Sequence, residues 1–124
     1  MKVCITSRDS SLESEVDPRF GRCSCFMLVD SESMSFEAVP NEMAGMSGGA
    51  GIQAAQLMAE KGVGAVVTGN CGPNAFRTLG AAGIEVYTGA SGSVKEALEA
   101  YTSGKLESSE GPSVGSHFGM KGDG

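Results

Sequence analysis

The sequence contains no tryptophan, one histidine and few basic residues, and these shortages exclude several classes of function. Its 124 residues include 9 lysines and arginines against 15 aspartates and glutamates, which gives a formal net charge of -6. An acidic chain lacks the basic face that a phosphate backbone requires, so we expect no nucleic-acid binding. No apolar run reaches the length of a membrane span or of a signal-peptide core. We therefore expect a soluble, cytoplasmic protein without a membrane partner.

The usual signatures of nucleotide-binding and hydrolytic enzymes are also missing. The segment GGAGI at residues 48–52 could hold an anion at the start of a helix. However, no Gly-Lys-Ser/Thr follows it, and its spacing differs from the dinucleotide pattern G-x-G-x-x-G. The first apolar segment, KVCIT, carries no carboxylate, whereas two-metal nucleases need carboxylates to hold their ions. We predict that the protein is not an enzyme.

Glycine is abundant, with 19 residues, and the chain has 4 cysteines. Many glycines indicate many positions where the backbone turns sharply or approaches a ligand closely. In the expected compartment cysteines are kept reduced, which makes structural disulfides improbable. The cysteines are therefore read as thiols that are either buried in the core or used for chemistry.

The hydrophobic pattern predicts alternating strands and helices after an initial meander. Ser93 with Glu96 has the spacing of a capping box, and glycines 62 and 83 are suited to helix C-termini. From residue 104 the composition shifts to Gly, Ser, Glu and Lys, so we expect one domain at residues 1–103 and a flexible tail at residues 104–124. The predicted strands span residues 2–6, 25–30, 34–39, 65–68 and 84–88, and the predicted helices span residues 51–61, 74–82 and 93–103.

This order of elements favours an α/β fold with helices on both faces of a mixed sheet. Right-handed crossovers give the strand order 3-2-1-4-5, with strand 2 antiparallel to its neighbours. The loops that leave strands 1, 3, 4 and 5 then lie at one end of the sheet. The crevice between strands 1 and 4 is a topological switch point, where open α/β sheets bind ligands.

The stretch TGNCGPNAF places Cys71 in a turn at this end, just before a helix. Pro73 is suited to the first helical position, so Cys71 would lie at or before the N-cap and face solvent. A helix N-terminus lowers the pKa of a thiol and favours anions. The alternative is that Cys71 is a small residue that merely fits a tight turn.

Two further cysteines, Cys23 and Cys25, form a C-x-C pair at the entry to strand 2. A spacing of two along a strand directs both sulfurs to the same side, which would suit a soft metal. Two buried, inert thiols are the alternative. We predict that these cysteines and Cys71 share one site, whereas Cys4 belongs to the core.

Arginines and methionines near the same end provide further candidates. Arg19 and Arg22 beside a helix N-terminus suggest an anionic ligand, although Arg19 could simply pair with Asp17. Met43 and Met46 could offer thioethers to a soft metal, or could form a flexible apolar lid. His117, which lies in the predicted tail, has no assigned role.

These motifs together resemble a known family. The segments VDPRFGRC at residues 16–23 and GAGIQAAQLMAEKGVGAVVTGNCGPNAFRTLGAAGIEVYTG at residues 49–89, with the strand order, resemble the dinitrogenase iron–molybdenum cofactor biosynthesis family. The likeness extends over about residues 1–103. That family includes small stand-alone carriers, the C-terminal domain of some nitrogenase cofactor-synthesis enzymes and the molybdenum–copper orange protein.

The resemblance implies a three-layer α/β/α, ribonuclease H-like fold that binds an anionic metal–sulfur cluster without covalent attachment. The cluster could be of the iron–sulfur, iron–molybdenum or molybdenum–copper type, and cluster-donor or cluster-acceptor proteins would be its partners. Mapped onto this sequence, the cofactor-binding residues of the family are Phe20, Gly21, Arg22, Gly69, Asn70, Gly72 and Asn74, and the candidate metal ligands are Cys23, Cys25 and Cys71.

The physical reading agrees with this implication, because large soft anions are served by N–H donors, arginine and sulfur rather than by hard carboxylates. The sequence therefore favours a non-catalytic carrier of a metal–sulfur cluster. The alternative is a protein-interaction or thiol-redox module that uses Cys71 without a bound cluster.

Overall fold

A five-stranded sheet with helices on both faces forms the framework of the molecule. The computed structural model describes residues 1–109. In chain order the elements are β1 (Lys2–Ser7), β2 (Cys25–Asp30), β3 (Phe36–Pro40), α1 (Ala50–Glu60), β4 (Val63–Val67), α2 (Pro73–Ala81), β5 (Glu85–Tyr87) and α3 (Val94–Thr102). The strand order is β3-β2-β1-β4-β5, in which β2 is antiparallel to β1 and β3 while β1, β4 and β5 are parallel. The predicted architecture and strand order are confirmed.

The period of two along each strand divides the core into two layers. Cys4, Leu28 and Val66 pack with residues of α1 and α2 on one face of the sheet. Ile5 and Met27 pack with residues of α3 on the other face. Cys4 is fully buried, as the sequence predicts.

The observed bounds of β2 are those predicted, and the bounds of the other elements lie within two residues of the predicted ones. The second strand of the hairpin is expected from residue 34, yet β3 begins at Phe36. Met34 has a positive φ of 65° and belongs to the turn, because a left-handed residue cannot continue a strand. Gly62 and Gly83 directly follow the C-caps of α1 and α2, Lys61 and Ala82, and have the positive φ values with which glycine ends a helix, one residue beyond the predicted C-cap position.

Register brings the loops that follow β1, β3 and β4 to one end of the sheet. Ser7 at the end of β1 faces Cys25 at the start of β2, and Cys25 in turn faces Pro40 at the end of β3. The parallel pairing of β1 with β4 places the end of β4 on the other side of β1. The switch-point crevice predicted from the sequence is therefore present.

The two edge strands of the sheet, β5 and β3, are protected from further strand pairing in different ways. At the β5 edge, Ser108 forms an antiparallel bridge with Tyr87, and the Ser109 N–H donates to the Val86 carbonyl oxygen at 2.6 Å. At the other edge, β3 ends at Pro40. The Asn41 N–H donates to the Ser24 carbonyl oxygen, toward β2. Since backbone direction alternates along a strand, the Pro40 nitrogen faces away from the sheet.

The expected flexible tail comprises residues 104–124, and most of it, including His117, lies outside the described residues. Residues 105–109 are attached to the domain, because Leu106 packs against the α3 face and Ser109 bonds to β5. Composition alone does not indicate this attachment. The boundary at residue 103 stays a prediction. None of the helices within residues 1–109 is long and apolar enough to cross a membrane.

Candidate functional site

A cavity of about 390 Å³ opens at the end of the sheet where β1 and β4 finish. Three segments of the chain converge on it: the loop after β1, the start of α1 and the turn into α2. The lining residues are Arg19, Phe20, Gly21, Arg22, Gly49, Ala50, Gly51, Ile52, Asn70, Gly72, Pro73, Asn74 and Ala75.

The loop after β1 is held against the turn after β4 by backbone hydrogen bonds. The Asn70 N–H donates to the Pro18 carbonyl oxygen at 2.7 Å, and the Phe20 N–H donates to the Asn70 carbonyl oxygen at 3.3 Å. A Cβ on Gly69 would lie 2.7 Å from the Pro18 Cα, so only glycine permits this approach. Gly69 therefore shapes the site from behind, whereas Asn70 lines it.

Glycine also allows the loop and the two helix starts to pack backbone against backbone. A Cβ on Gly21 would lie 2.7 Å from the Gly51 Cα and 2.8 Å from the Gly51 nitrogen. A Cβ on Gly51 would in turn lie 3.1 Å from the Ala75 Cβ. This contact of Gly21, Gly51 and Ala75, which we call the glycine contact, brings the N-termini of α1 and α2 to the same wall of the cavity.

Both helices begin without a side chain on their first N–H groups. The N-cap residues are Gly49 for α1 and Gly72 for α2, and α2 has Pro73 at its start. Within the described residues neither N-cap makes a side-chain cap hydrogen bond, and neither first turn contains an acidic residue. Within residues 1–109 no side chain therefore caps these N–H groups, and the positive ends of two helix dipoles lie beside an anion-sized space.

The charged side chains of the cavity are both arginines. Arg19 and Arg22 line it, and no carboxylate does so within residues 1–109. The neighbouring Asp17 is buried and pairs with Arg19, with 3.2 Å between the Arg19 Nε and the Asp17 Oδ1. In a chain with a net charge of -6, the cavity is thus a local positive region.

Phe20 anchors the loop that carries these arginines. Its side chain is only 2% exposed, and its ring centroid lies 5.9 Å from that of Phe26 on β2. Burial of an aromatic ring at this point stabilises the loop between Arg19 and Arg22. The predicted motif therefore combines a buried anchor, a glycine that permits close packing and an exposed cation.

All four cysteines are thiols and all are buried in the described part of the chain. Cys71 is 1% exposed, so the expectation that it faces solvent is wrong. It belongs to the same buried cluster as Phe20 and Cys23 of the loop after β1. Cys25 belongs to the cluster on the opposite face, so the expectation that Cys23 and Cys25 point to one side is also wrong.

Burial decides the pKa values of these thiols. It raises the pKa of Cys71 to about 12, although the helix start beside it would act in the opposite direction. Burial likewise raises the pKa of Cys23 to about 12, with smaller contributions from Asp17 and Cys25. No group of three or more His, Cys, Asp or Glu side chains in the part of the chain described here could hold a metal ion.

The predicted cofactor-binding residues are largely brought together. Among them, only Gly69 lies outside the lining of the cavity; the residues that line it are Phe20, Gly21, Arg22, Asn70, Gly72 and Asn74. Arg19 and the start of α1 at residues 49–52 also line the cavity, although they are not among the predicted cofactor-binding residues. The GGAGI segment was the sequence signal that the start of α1 could bind an anion. Its spacing, however, matches neither the Gly-Lys-Ser/Thr loop nor the G-x-G-x-x-G pattern.

Comparison with known proteins identifies relatives of the whole domain. The family model described as "Dinitrogenase iron-molybdenum cofactor" matches residues 1–104. An uncharacterised protein of Methanocaldococcus jannaschii is 34% identical over 100 residues, which cover 78% of this chain and 85% of that protein.

Solved structures show the same similarity. The apo form of the orange protein from Desulfovibrio gigas has a TM-score of 0.88 and 38% identity, and covers 90% of this chain and 95% of its own. A candidate NifB protein from Thermotoga has a TM-score of 0.77 and 40% identity, and covers 86% of this chain and 91% of its own.

Proposed function

Because the chain belongs to the dinitrogenase iron–molybdenum cofactor family, we propose that it binds and carries an anionic metal–sulfur cluster as cargo, without catalysing a reaction on it. The observation that carries the proposal is the composition of the cavity. Two helix N-termini without side-chain caps and two arginines face it, and within residues 1–109 no carboxylate does.

The residues present suit such a cargo chemically. A metal–sulfur cluster is a large, soft anion whose sulfur atoms accept hydrogen bonds from N–H groups. Backbone N–H groups at the starts of α1 and α2, the guanidinium of Arg22 and the amides of Asn70 and Asn74 would supply donors. The glycine contact keeps side chains out of the wall, so a bulky ligand could approach the backbone directly.

Direct ligation by Cys23, Cys25 and Cys71 stays a prediction. All three thiols are buried, and Cys25 lies on the other face of the sheet. Ligation by all three thiols to one cluster would therefore require a rearrangement of the protein. The proposal accordingly assigns the primary contacts to N–H groups and arginine, and it does not depend on a metal–thiolate bond.

We propose an iron–sulfur, iron–molybdenum or molybdenum–copper cluster as the cargo, and proteins that build or receive such clusters as the partners. The support is the family itself and the similarity to the orange protein and to the candidate NifB protein. A carrier must release its cargo. Release is easier from a site that holds the cargo by hydrogen bonds than from one that holds it by strong metal–thiolate bonds.

The first experiment is isolation of the protein from its native host without oxygen, followed by analysis of metals and acid-labile sulfide. We expect molybdenum or iron together with sulfide. The second is titration of the purified protein with tetrathiomolybdate, with molybdate as a matched control of the same charge and shape. We expect tighter binding of the thio-anion, because sulfur suits a large cavity of N–H donors and arginine.

Two results would contradict the proposal. Protein isolated without metal and sulfide, together with no binding of tetrathiomolybdate, would exclude a cluster carrier. Equal affinity for molybdate and tetrathiomolybdate would instead indicate a general anion site.

A further inference from the structure

Asn41, which does not line the cavity, connects the two loops at its rim. Its side-chain Nδ2 donates to the carbonyl oxygens of Gly21 at 3.1 Å and Cys23 at 2.9 Å, one on each side of Arg22. Its Oδ1 accepts from the Met43 N–H at 3.0 Å. Both amide protons and the amide oxygen of this half-buried residue are therefore used within the protein.

Arg22 completes the connection in the opposite direction. Its Nη1 donates to the carbonyl oxygens of Ala44 at 2.8 Å and Met46 at 2.7 Å. Asn41 thus holds the backbone that carries Arg22, and Arg22 holds the backbone that follows Asn41. We call these four hydrogen bonds between residues 21–23 and residues 41–46, together with the Met43 bond, the two-loop clamp.

The clamp has a consequence for the donors of the arginine. A guanidinium has five N–H groups, and the clamp takes the two on Nη1. The groups on Nη2 and Nε are left for a ligand, because no other residue described by the structure accepts from them. An exposed arginine without the clamp would sample many rotamers, and it would lose conformational entropy on binding.

We propose that Asn41 is a positioning residue for cargo binding, which acts through Arg22 and does not touch the cargo. The inference deepens the proposed function and rests on it for the identity of the ligand. The clamp itself is a property of the protein and can be tested without any ligand.

The first test uses the variant Asn41→Ser. A serine hydroxyl can still accept from the Met43 N–H, but it has no amide to reach Gly21 and Cys23. We expect the Arg22 guanidinium protons, observed by nitrogen-15 NMR, to exchange with solvent about tenfold faster than in the wild type. The control is Ser33→Ala, a charge-neutral change that removes an acceptor of the Ser35 N–H in the turn at the far end of the same hairpin.

The second test is a double-mutant cycle with tetrathiomolybdate as the probe. We expect Asn41→Ser to lower affinity about tenfold in the wild-type background and less than about twofold in the Arg22→Ala background, because its effect passes through the arginine. Thermal melting confirms that each variant is folded at the working temperature. Equal losses in both backgrounds would show a general structural role and would overturn the proposal.

The two tests separate this inference from the proposed function. Unchanged exchange of the Arg22 guanidinium protons in Asn41→Ser overturns the positioning role, whatever the protein binds. Absence of tetrathiomolybdate binding in the wild type, together with protein isolated without metal and sulfide, contradicts the proposed function and removes Asn41 from cargo binding, while the NMR test still decides whether it positions Arg22.

Discussion

The N-cap of helix α3 is Ser93, whose Oγ accepts from the Glu96 N–H at 3.0 Å, while the Ser93 N–H donates to Glu96 Oε1 at 2.9 Å. The N-caps of helices α1 and α2 are Gly49 and Gly72, which bring no side chain to the same task. The capping box of α3 satisfies its own orphan N–H groups and places a negative charge at the positive end of the helix.

The difference shows how one feature of every helix can serve either stability or binding. At α3 the Ser93 hydroxyl and the Glu96 carboxylate accept these hydrogen bonds, and the glutamate supplies the negative charge. At α1 and α2 the N-cap residues are glycines that line the cavity, and under the proposed function an external anion would take the equivalent place. The proposal therefore predicts that the residues at the helix start separate a structural helix end from a ligand-binding one.

The largest expected effect concerns Cys71, which directly precedes the N-cap of α2. If the helix start alone set the pKa of this thiol, it would lower the pKa and make the thiol reactive. Burial instead raises the pKa of Cys71 to about 12. We expect iodoacetamide at pH 7 to modify Cys71 in the native protein at least about a hundredfold more slowly than in the unfolded chain, because the thiolate is the nucleophile. Peptide mass mapping over time measures both rates. A native rate as fast as the unfolded one would favour the thiol-redox alternative.

The next effect concerns the glycine contact that joins the starts of α1 and α2. In Gly21→Ala the new Cβ would meet the backbone of Gly51 at 2.7 Å, which cannot rotate away. We expect affinity for tetrathiomolybdate to fall by more than about tenfold and the free energy of unfolding to fall by about 1–3 kcal/mol.

The matched control for that change is Gly80→Ala in α2. A Cβ on Gly80 would meet no described heavy atom within 4 Å beyond its chain neighbours and the backbone of its own helix. Alanine in the helix should therefore stabilise the protein by about 0.5–1 kcal/mol and leave affinity unchanged. Calorimetric titration and urea unfolding measure the two quantities. Equal loss of affinity in both variants would show that the glycine contact is not specific to the site.

An intermediate effect is expected for Arg22, a cation that lines the cavity beside the starts of α1 and α2. Arg22→Ala should weaken binding of tetrathiomolybdate by about 1.5–3 kcal/mol, because it removes a charge-assisted contact, and should leave the protein folded. Lys95→Ala on α3 changes the net charge equally and should leave affinity nearly unchanged. Similar losses in both variants would mean that net charge, and not position, controls binding.

The smallest effect is expected from exchanging the two kinds of helix start. The backbone at Gly72 (φ -73°, ψ 170°) is close to that at Ser93 (φ -82°, ψ 163°), so serine can adopt it. We expect Gly72→Ser to stabilise the protein by a few tenths of a kcal/mol and to weaken cargo binding slightly, since its hydroxyl occupies one N–H. Ser93→Gly should reduce stability by a similar amount without affecting binding. A gain of affinity in Gly72→Ser would contradict the anion-binding role of the α2 start.

The sequence was sufficient to predict features that depend on neighbouring residues. The capping box at Ser93 and Glu96 follows from a spacing of three, and the strand order follows from the order of elements with right-handed crossovers. The position of the cavity followed in turn from the strand order, because the switch point is a property of topology.

Features that depend on contacts between distant segments could not be predicted. Gly21 and Gly51 are separated in the chain by β2 and β3 and meet only when these strands are in place, so neither glycine carries a local signal. The expectation that Cys23 and Cys25 point to the same side failed because Cys23 precedes β2. Side chains alternate between the two faces of a sheet only inside a strand. The expected exposure of Cys71 failed because its turn alone does not reveal the distant residues, among them Phe20 and Cys23, that form the same buried cluster.

Pro40 at the end of the edge strand β3 has a consequence for the resistance of the protein to aggregation at high concentration. An open sheet edge offers a row of donors and acceptors on which another chain can add a strand, and such growth leads to aggregation. At β5 the chain shields itself with Ser108 and Ser109, whereas at β3 a proline removes one outward donor at the end of the strand. When two molecules meet edge to edge, the missing donor gives the added strand one hydrogen bond fewer, so this proline makes a sheet-to-sheet encounter less able to become permanent.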